Sequence, residues 1–232
     1  RGRTWELQVS DADAFAVGDP LVITCRTIGK GSFVSLRSCI RVSLIGLENF
    51  AAPTVNYGAW NTGLLDVLDC RITLKEGRWL SGNADGFHFK ALFPGPWIEG
   101  CTIEGMGDDG MTLCQVPAVV VAAAGTRLDL HTPDGTPYGA GDPIHFYNNT
   151  RDLDLGTARV VGVLRDSVFQ KSLTLDRPCA LVAPGPKFAN AAGYTQVKDD
   201  VDMAYNTKYG SGFVIRNSTF RNLRRFGVTI QA

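Results

Sequence analysis

The sequence predicts an all-β fold: a right-handed parallel β-helix that carries an inserted antiparallel β-barrel. Glycine accounts for 26 of the 232 residues, about 11% against roughly 7% in average proteins. Charged residues make up 20%, below the usual ~25%. This composition favours many turns and few long amphipathic helices, and short apolar strands recur without helices between them.

Four segments repeat one pattern: a short apolar strand, a polar or glycine corner, and a second apolar stretch. They are residues 42–47, 67–72, 97–103 and 214–220. Their corner residues, spaced by 23, 31 and 117 positions, are Leu47, Cys70, Cys101 and Ser218. Since structural repeats of this kind take from roughly 20 residues upward, the first step is one rung and the second is one rung with a loop. The third step must contain an inserted subdomain.

The insertion is predicted to be a small barrel or sandwich over residues 115–206. Polar and apolar residues alternate in 127–131, 144–147, 159–163 and 172–175, with turn clusters between them. Residues 17–23 resemble 140–146, so residues 1–30 are interpreted as the remnant of a second barrel. Residues 31–114 then hold β-helix rungs, and residues 207–232 return to a rung.

Charge and hydropathy exclude several classes of function. The 23 basic and 23 acidic side chains balance, and no basic run is present. We therefore expect no nucleic-acid partner and no polybasic membrane contact. No window approaches the roughly 20 apolar residues of a membrane span, so no span is expected. Because Arg1 opens the chain and Ala232 ends it within an apolar strand pattern, the sequence is expected to belong to a longer chain, and the lack of a signal peptide says little about compartment.

The six cysteines show neither a CxxC pair nor zinc-like spacing. We interpret them as buried small apolar residues, although disulfides in an exported protein stay open.

The strongest local signal is a pair of acidic phrases, Asn-Ala-Asp-Gly-Phe-His-Phe over residues 83–89 and Gly-Asp-Asp-Gly-Met-Thr-Leu over residues 107–113. Aligning Gly86 with Gly110 places Asp85 one rung below Asp109, and Asp108 adds a third carboxylate. The same alignment gives both phrases matching inward apolar residues. We expect the three carboxylates to meet at one sheet edge, with the glycines keeping the local surface open.

Three carboxylates stacked this way repel one another. At ~5 Å and an effective dielectric constant of 20, one repulsion is roughly 3 kcal/mol. Inverting glycoside hydrolysis needs one protonated and one ionised carboxyl group, so catalysis explains such a cluster. Calcium binding would relieve the same repulsion in another way.

The phrases Asn-x-Asp-Gly and Gly-Asp-Asp, one rung apart, resemble the active-site pattern of polygalacturonase-type β-helix hydrolases. The wider run over residues 83–88, 95–99 and 104–110, followed by a barrel, resembles glycoside hydrolase family 110. The resemblance covers residues 33–114, the insertion in its architecture, and the rung at 211–232. Members of that family are much longer, and the His and Arg-x-Lys signatures of polygalacturonases are not visible here.

This resemblance implies an exo-acting, inverting α-1,3-galactosidase whose partner is a glycan with terminal α-galactose. It implies Asp108 as the general acid, with Asp85 and Asp109 activating the attacking water. It implies no metal and no organic cofactor, and a secreted or periplasmic bacterial location.

Other candidate substrate-binding residues carry weaker signals. Aligning Gly227 with Gly110 places Arg225 one rung beyond Asp108, so Arg225 or Arg224 is expected to contact a sugar or orient a carboxylate, unless the pair is a solvated basic turn. His88, three residues after Asp85, is a candidate for a substrate hydroxyl. Trp97 is a candidate for stacking on a sugar, with packing against the barrel as the alternative.

Three other functions compete with this interpretation. The first two are a calcium-dependent polysaccharide lyase, in which an arginine abstracts a proton, and a polygalacturonase-like hydrolase. The third is a non-catalytic β-helix of the adhesin or tailspike kind, which would bind glycans without turnover.

Overall fold

The structure is a computed structural model that describes residues 6, 8–23, 31–132, 135–181, 183–185 and 200–231. Over this part of the chain it consists of 19 β-strands and one short 3-10 helix, Ala12–Ala14, without an α-helix. The prediction of an all-β fold is confirmed.

Thirteen of the strands build three parallel sheets. The first sheet contains β1 (Val34–Arg37), β4 (Tyr57–Trp60), β7 (Phe87–Lys90), β10 (Met111–Cys114) and β19 (Val228–Gln231). The second contains β2 (Ile40–Ile45), β5 (Gly63–Leu68), β8 (Trp97–Glu99) and β17 (Val214–Arg216). The third contains β3 (Glu48–Asn49), β6 (Arg71–Ile72), β9 (Thr102–Glu104) and β18 (Thr219–Arg221). We call this part of the molecule the three-sheet unit.

The chain visits the three sheets in a repeating order, so each turn stacks on the one before it. The corner alignment inferred from the sequence is confirmed by backbone hydrogen bonds. Thr102 N donates to the Cys70 carbonyl at 2.9 Å, and Thr219 N donates to the Cys101 carbonyl at 2.8 Å. The 117-residue step from Cys101 to Ser218 therefore adds a single layer to the stack.

The core of the three-sheet unit is made by the inward side chains of successive turns. Phe87 and Phe89 are at most 1% exposed, as are Met111 and Leu113 in the next turn. The rings of Tyr57 and Phe87 stack with centroids 5.4 Å apart. Since apolar burial contributes about 25 cal/mol per Å², this ladder is the main source of stability for the turns that hold the acidic phrases.

The other six strands close an antiparallel barrel between Ala118 and Asn206. They are β11 (Ala118–Ala124), β12 (Arg127–His131), β13 (Pro143–Asn148), β14 (Leu153–Asp166), β15 (Gln170–Leu175) and β16 (Met203–Asn206). In β13, buried residues alternate with half-buried ones, so one face lines the barrel core and the other faces outward.

The predicted barrel remnant at residues 1–30 lies partly outside the described residues. Residues 8–23, which are described, contain the 3-10 helix and no strand. The likeness of residues 17–23 to 140–146 therefore does not give a matching strand, because residues 144–146 pair with neighbours on both sides in β13, and residues 21–23 show no such pairing.

Two further features follow the sequence-based expectations. No helix in the described part of the chain is long and apolar enough to cross a membrane. The five described cysteines are free thiols, and Cys70, Cys101 and Cys114 are buried. A hydrogen bond with Cys70, together with burial, raises the pKa of the Cys101 thiol, so Cys101 packs as a neutral group.

We predict that Cys101→Asp gives misfolded or insoluble protein, because Cys101 is 1% exposed and the new carboxylate would be buried among apolar neighbours. Cys39→Asp is the matched control, since Cys39 is a half-buried cysteine at the start of the stack. Solubility and circular dichroism measure the result. A soluble Cys101→Asp variant with a normal spectrum would contradict the alignment of the turns.

Candidate active site

The three aspartates lie just before two adjacent strands of the first parallel sheet. Asp85 precedes β7, and Asp108 and Asp109 precede β10. Gly86 N donates to the Asp109 carbonyl at 3.0 Å, and the strands run in register from Phe87 opposite Met111. The predicted stacking of Asp85 against Asp109 in consecutive turns is confirmed.

The glycines after the aspartates have a different role from the one expected. A Cβ atom on Gly86 would lie 2.5 Å from the Gly110 carbonyl oxygen and 2.7 Å from Ile103 Cγ2. A Cβ atom on Gly110 would lie 2.6 Å from the Gly227 carbonyl oxygen. These glycines therefore let consecutive turns approach closely on the core side, and they do not keep the outer surface open.

The carboxylates are also more enclosed than an open sheet edge would make them. Asp85 is 7% exposed, and Asp108 and Asp109 are each 6% exposed. They line a cleft of about 370 Å³ together with His88 and Arg225. We call it the carboxylate cleft; its other lining residues are Val55, Ala84, Thr112, Phe226, Thr229 and Gln231.

Arg225 supplies the positive charge that this cluster needs. Its Nη1 donates to Asp108 Oδ1 at 2.8 Å, and its Nε lies 3.7 Å from Asp109 Oδ1. The hydrogen bond with Asp108 and the charge of Asp109 raise the pKa of Arg225, so the guanidinium stays protonated. Arg225 thus offsets the repulsion that was inferred for the three carboxylates, and the alignment of Gly227 with Gly110 found it from the sequence.

Neutral donors surround the Asp109 carboxylate. Phe226 N donates to Oδ1 at 3.2 Å, while the hydroxyls of Thr112 and Thr229 donate to Oδ2 at 3.2 and 3.4 Å. Sequence reasoning missed Thr229, although its register opposite Thr112 follows from the same glycine alignment.

His88 contacts the third carboxylate. Its Nδ1 lies 2.5 Å from Asp85 Oδ2, and its ring lies beside Trp60 with centroids 6.3 Å apart. The indole of Trp60 is covered in turn by Arg37, whose guanidinium lies 4.3 Å from the ring centroid. His88 therefore lies in the carboxylate cleft, where Trp60 helps to hold its ring, and its role in binding a substrate hydroxyl stays a prediction.

Two predicted site residues lie elsewhere. Trp97 belongs to β8 in the second sheet, where its Nε1 donates to Glu99 at 2.9 Å and Arg216 covers its ring at 4.9 Å. Arg224 is exposed, its backbone N donates to the Met106 carbonyl, and it does not line the carboxylate cleft. Arg224 and Arg225 lie in a bend before β19, and of the two only Arg225 lines the carboxylate cleft.

The barrel holds a separate cleft of about 300 Å³, which we call the barrel cleft. Its lining residues fall mainly in 127–131 and 164–172. Within it, Lys171 pairs with Asp166, and Ser172 donates to Asp129 at 2.6 Å. These charges are paired locally, and the carboxylate cleft is the site with several carboxylates facing one cavity.

The described residues contain no group of three or more His, Cys, Asp or Glu side chains arranged to hold a metal ion. The carboxylates of the cleft are matched by Arg225 and His88 instead. The absence of a metal from the reaction stays a prediction from the sequence.

We predict that Arg225→Gln lowers the melting temperature at neutral pH by several degrees, because it leaves the enclosed Asp108 and Asp109 carboxylates without the cation that contacts them. Arg216→Gln is the matched control: both arginine side chains are about half exposed, at 56% and 55%, and Arg216 pairs with Glu99 at 2.9 Å. Thermal melts followed by circular dichroism measure both variants. Equal melting temperatures at neutral pH would contradict the role given to Arg225.

Comparison with known proteins adds no assignment to this geometry. A scan against models of protein families gave no match, and a search of curated proteins gave none. The resemblance to glycoside hydrolase family 110 therefore stays a prediction that rests on the acidic phrases at residues 83–88 and 104–110.

Proposed function

We propose that the protein is an exo-acting, inverting glycoside hydrolase that releases terminal α-1,3-linked galactose, with its three parallel sheets forming a right-handed parallel β-helix. One observation carries the proposal: three enclosed carboxylates from consecutive turns face one cleft, with a single guanidinium between two of them. Structural aspartates that cap turns do not require such a shared cavity. The family resemblance supplies the galactose and its linkage.

Asp109 fits the role of general base. It accepts hydrogen bonds from one backbone amide and two threonine hydroxyls, and these donors hold the carboxylate in place within the cleft. Asp85, which lies in the turn below and lines the same cleft, would share the water with Asp109. In inverting enzymes the base activates this water on the face of the sugar opposite the leaving group.

Asp108 is the proposed general acid. A general acid must carry a proton when the substrate binds, whereas the 2.8 Å contact with Arg225 favours a charged carboxylate. Arg225 is 56% exposed, so a galactose hydroxyl can take over its hydrogen bond as the sugar enters. The proposed assignment therefore requires Arg225 to turn from Asp108 toward the substrate.

The size and lining of the carboxylate cleft suit the terminal sugar of a glycan. A volume of about 370 Å³ is near the lower limit of ordinary ligand sites, as expected for one terminal sugar. His88 and Arg225 supply hydrogen-bond donors beside the carboxylates. These features favour exo action on a single galactose over binding along a polymer.

A lyase of the arginine-base kind fits the site less well. Such a reaction needs an arginine that gives up its proton, and the neighbouring Asp108 and Asp109 raise the pKa of Arg225. Because the raised pKa leaves less of the neutral guanidine that could accept a proton, Arg225 is better suited to holding an anion or a hydroxyl.

The anomer released first tests the proposal. From an α-1,3-linked galactosyl disaccharide, direct attack by water should give β-galactose first, and early proton NMR spectra can record it before mutarotation. Release of α-galactose first would contradict the mechanism, and binding without turnover would support the non-catalytic alternative.

Matched variants of the aspartates serve as controls in the same assay. Asp108→Asn should lose several orders of magnitude with the disaccharide but retain turnover of α-galactosyl fluoride, whose leaving group needs no acid. Asp109→Asn should lose turnover of both substrates, because the water is no longer activated. If Asp109→Asn retained turnover of the fluoride and Asp108→Asn lost it, Asp109 would be the general acid and Asp108 the general base.

A further inference from the structure

A second cleft adjoins the carboxylate cleft where the barrel meets the end of the first parallel sheet. It has a volume of about 590 Å³, and Gln231 at the end of β19 lines both clefts. Tyr147 and Tyr205 of the barrel face Gln115 and Gln231 of the three-sheet unit across it. We call it the junction cleft.

The barrel contributes an aromatic surface to the junction cleft. In β13, His145 and Tyr147 face outward and alternate with the buried residues Ile144 and Phe146. In β16, Tyr205 is paired directly with His145. All three outward rings are half-buried, so they form one patch that lies outside the barrel core.

Two of these rings are held in place by acidic residues that follow β13. The Tyr147 hydroxyl donates to Asp152, and His145 Nε2 lies 3.0 Å from Asp154 Oδ1. Side chains that are ordered before a ligand arrives lose less conformational entropy when it binds. The patch is therefore ordered before a ligand binds.

The opposite wall carries unused hydrogen-bonding capacity. Gln115 is 5% exposed, and its amide Nε2 has no hydrogen-bond partner among the described residues. A buried amide without a partner is unfavourable, so a shift of this side chain toward a ligand hydroxyl would be stabilising. Gln115 is fixed to its neighbour by a backbone hydrogen bond of 2.9 Å to Gln231.

The lining of the junction cleft indicates the charge of its ligand. Among the described residues that line it there is no Asp, Glu, Lys or Arg; Asp152 and Asp154 contact two of its rings but are not lining residues. Aromatic rings, amides and hydroxyls without fixed charges suit a neutral sugar, and they do not suit a uronic acid, a phosphate group or a nucleic acid.

The spacing between the two clefts suits neighbouring sugars of one chain. On β19, Thr229 donates to Asp109 in the carboxylate cleft, and Gln231 stands two residues further along the same face. Two residues of a parallel strand span about 6.6 Å, so the second cleft begins where a sugar linked to the bound galactose would lie.

We propose that the junction cleft binds the neutral sugar to which the terminal galactose is linked, with Tyr147 and Tyr205 against its ring and Gln115 against its hydroxyls. This inference rests on the proposed function. It makes the barrel a determinant of which galactosides are cleaved.

Tyr205→Ala tests the inference by comparison of two substrates. An α-1,3-galactosyl disaccharide places a sugar in the junction cleft, and α-galactosyl fluoride does not. The ratio of kcat/KM for the disaccharide to kcat/KM for the fluoride should fall about tenfold in Tyr205→Ala. Val161→Ala, an exposed outer-face residue of β14, should leave the ratio unchanged.

Gln115→Ala is the second variant, in case Tyr205→Ala does not fold, and it should also lower the ratio. If the wild-type chain turns over both substrates and neither variant changes the ratio, the junction cleft does not bind the second sugar and only this inference is overturned. If the wild-type chain turns over neither substrate, the proposed function fails and the inference fails with it.

Discussion

The site depends on the contact between one guanidinium and two enclosed carboxylates. Asp108 and Asp109 are adjacent in the chain and nearly buried, and Asp85 lies in the turn below them. Arg225, which pairs with Asp108, follows it by 117 residues in the sequence, and the barrel lies between the two. The turn that follows the barrel supplies the Arg225 guanidinium, the Phe226 amide and the Thr229 hydroxyl. The carboxylate cleft is therefore complete only when the chain after the barrel stacks on the turn before it.

Close stacking of turns keeps these groups in register. Gly86, Gly110 and Gly227 occupy equivalent positions, and a side chain on either of the first two would meet the carbonyl oxygen of the next turn. The buried ladder of aromatic and aliphatic residues beneath them fixes the same register from inside. The carboxylates are therefore held by rigid strand ends, which is where a catalytic arrangement can be kept to sub-ångström tolerance.

Much of this could be predicted because the stack repeats. The 24-residue offset between Asp85 and Asp109 and the corner spacing of Leu47, Cys70 and Cys101 follow from period and residue type alone. Enclosure of the carboxylates could not be predicted, since it depends on Arg225, Phe226 and neighbouring turns. Trp97 was proposed for the site only as an outward aromatic residue, although the repeat aligns residues 97–103 with 67–72 and the register places the first strand of each on the second sheet, away from the carboxylate cleft. The junction cleft could not be predicted either, because it depends on how the barrel packs against the three-sheet unit, and no local sequence pattern determines that packing.

The most direct test of the account is a backbone-amide NMR titration of the protein with galactose. If the carboxylate cleft binds the terminal sugar, the largest shifts should fall on residues 85–88, 109–112 and 226–229, which come from three consecutive turns. Asp108→Asn serves as the companion sample, because it keeps the shape of the cleft while removing one charge. Shifts confined to residues 127–131 and 164–172 of the barrel cleft, or no shifts at all, would contradict the account.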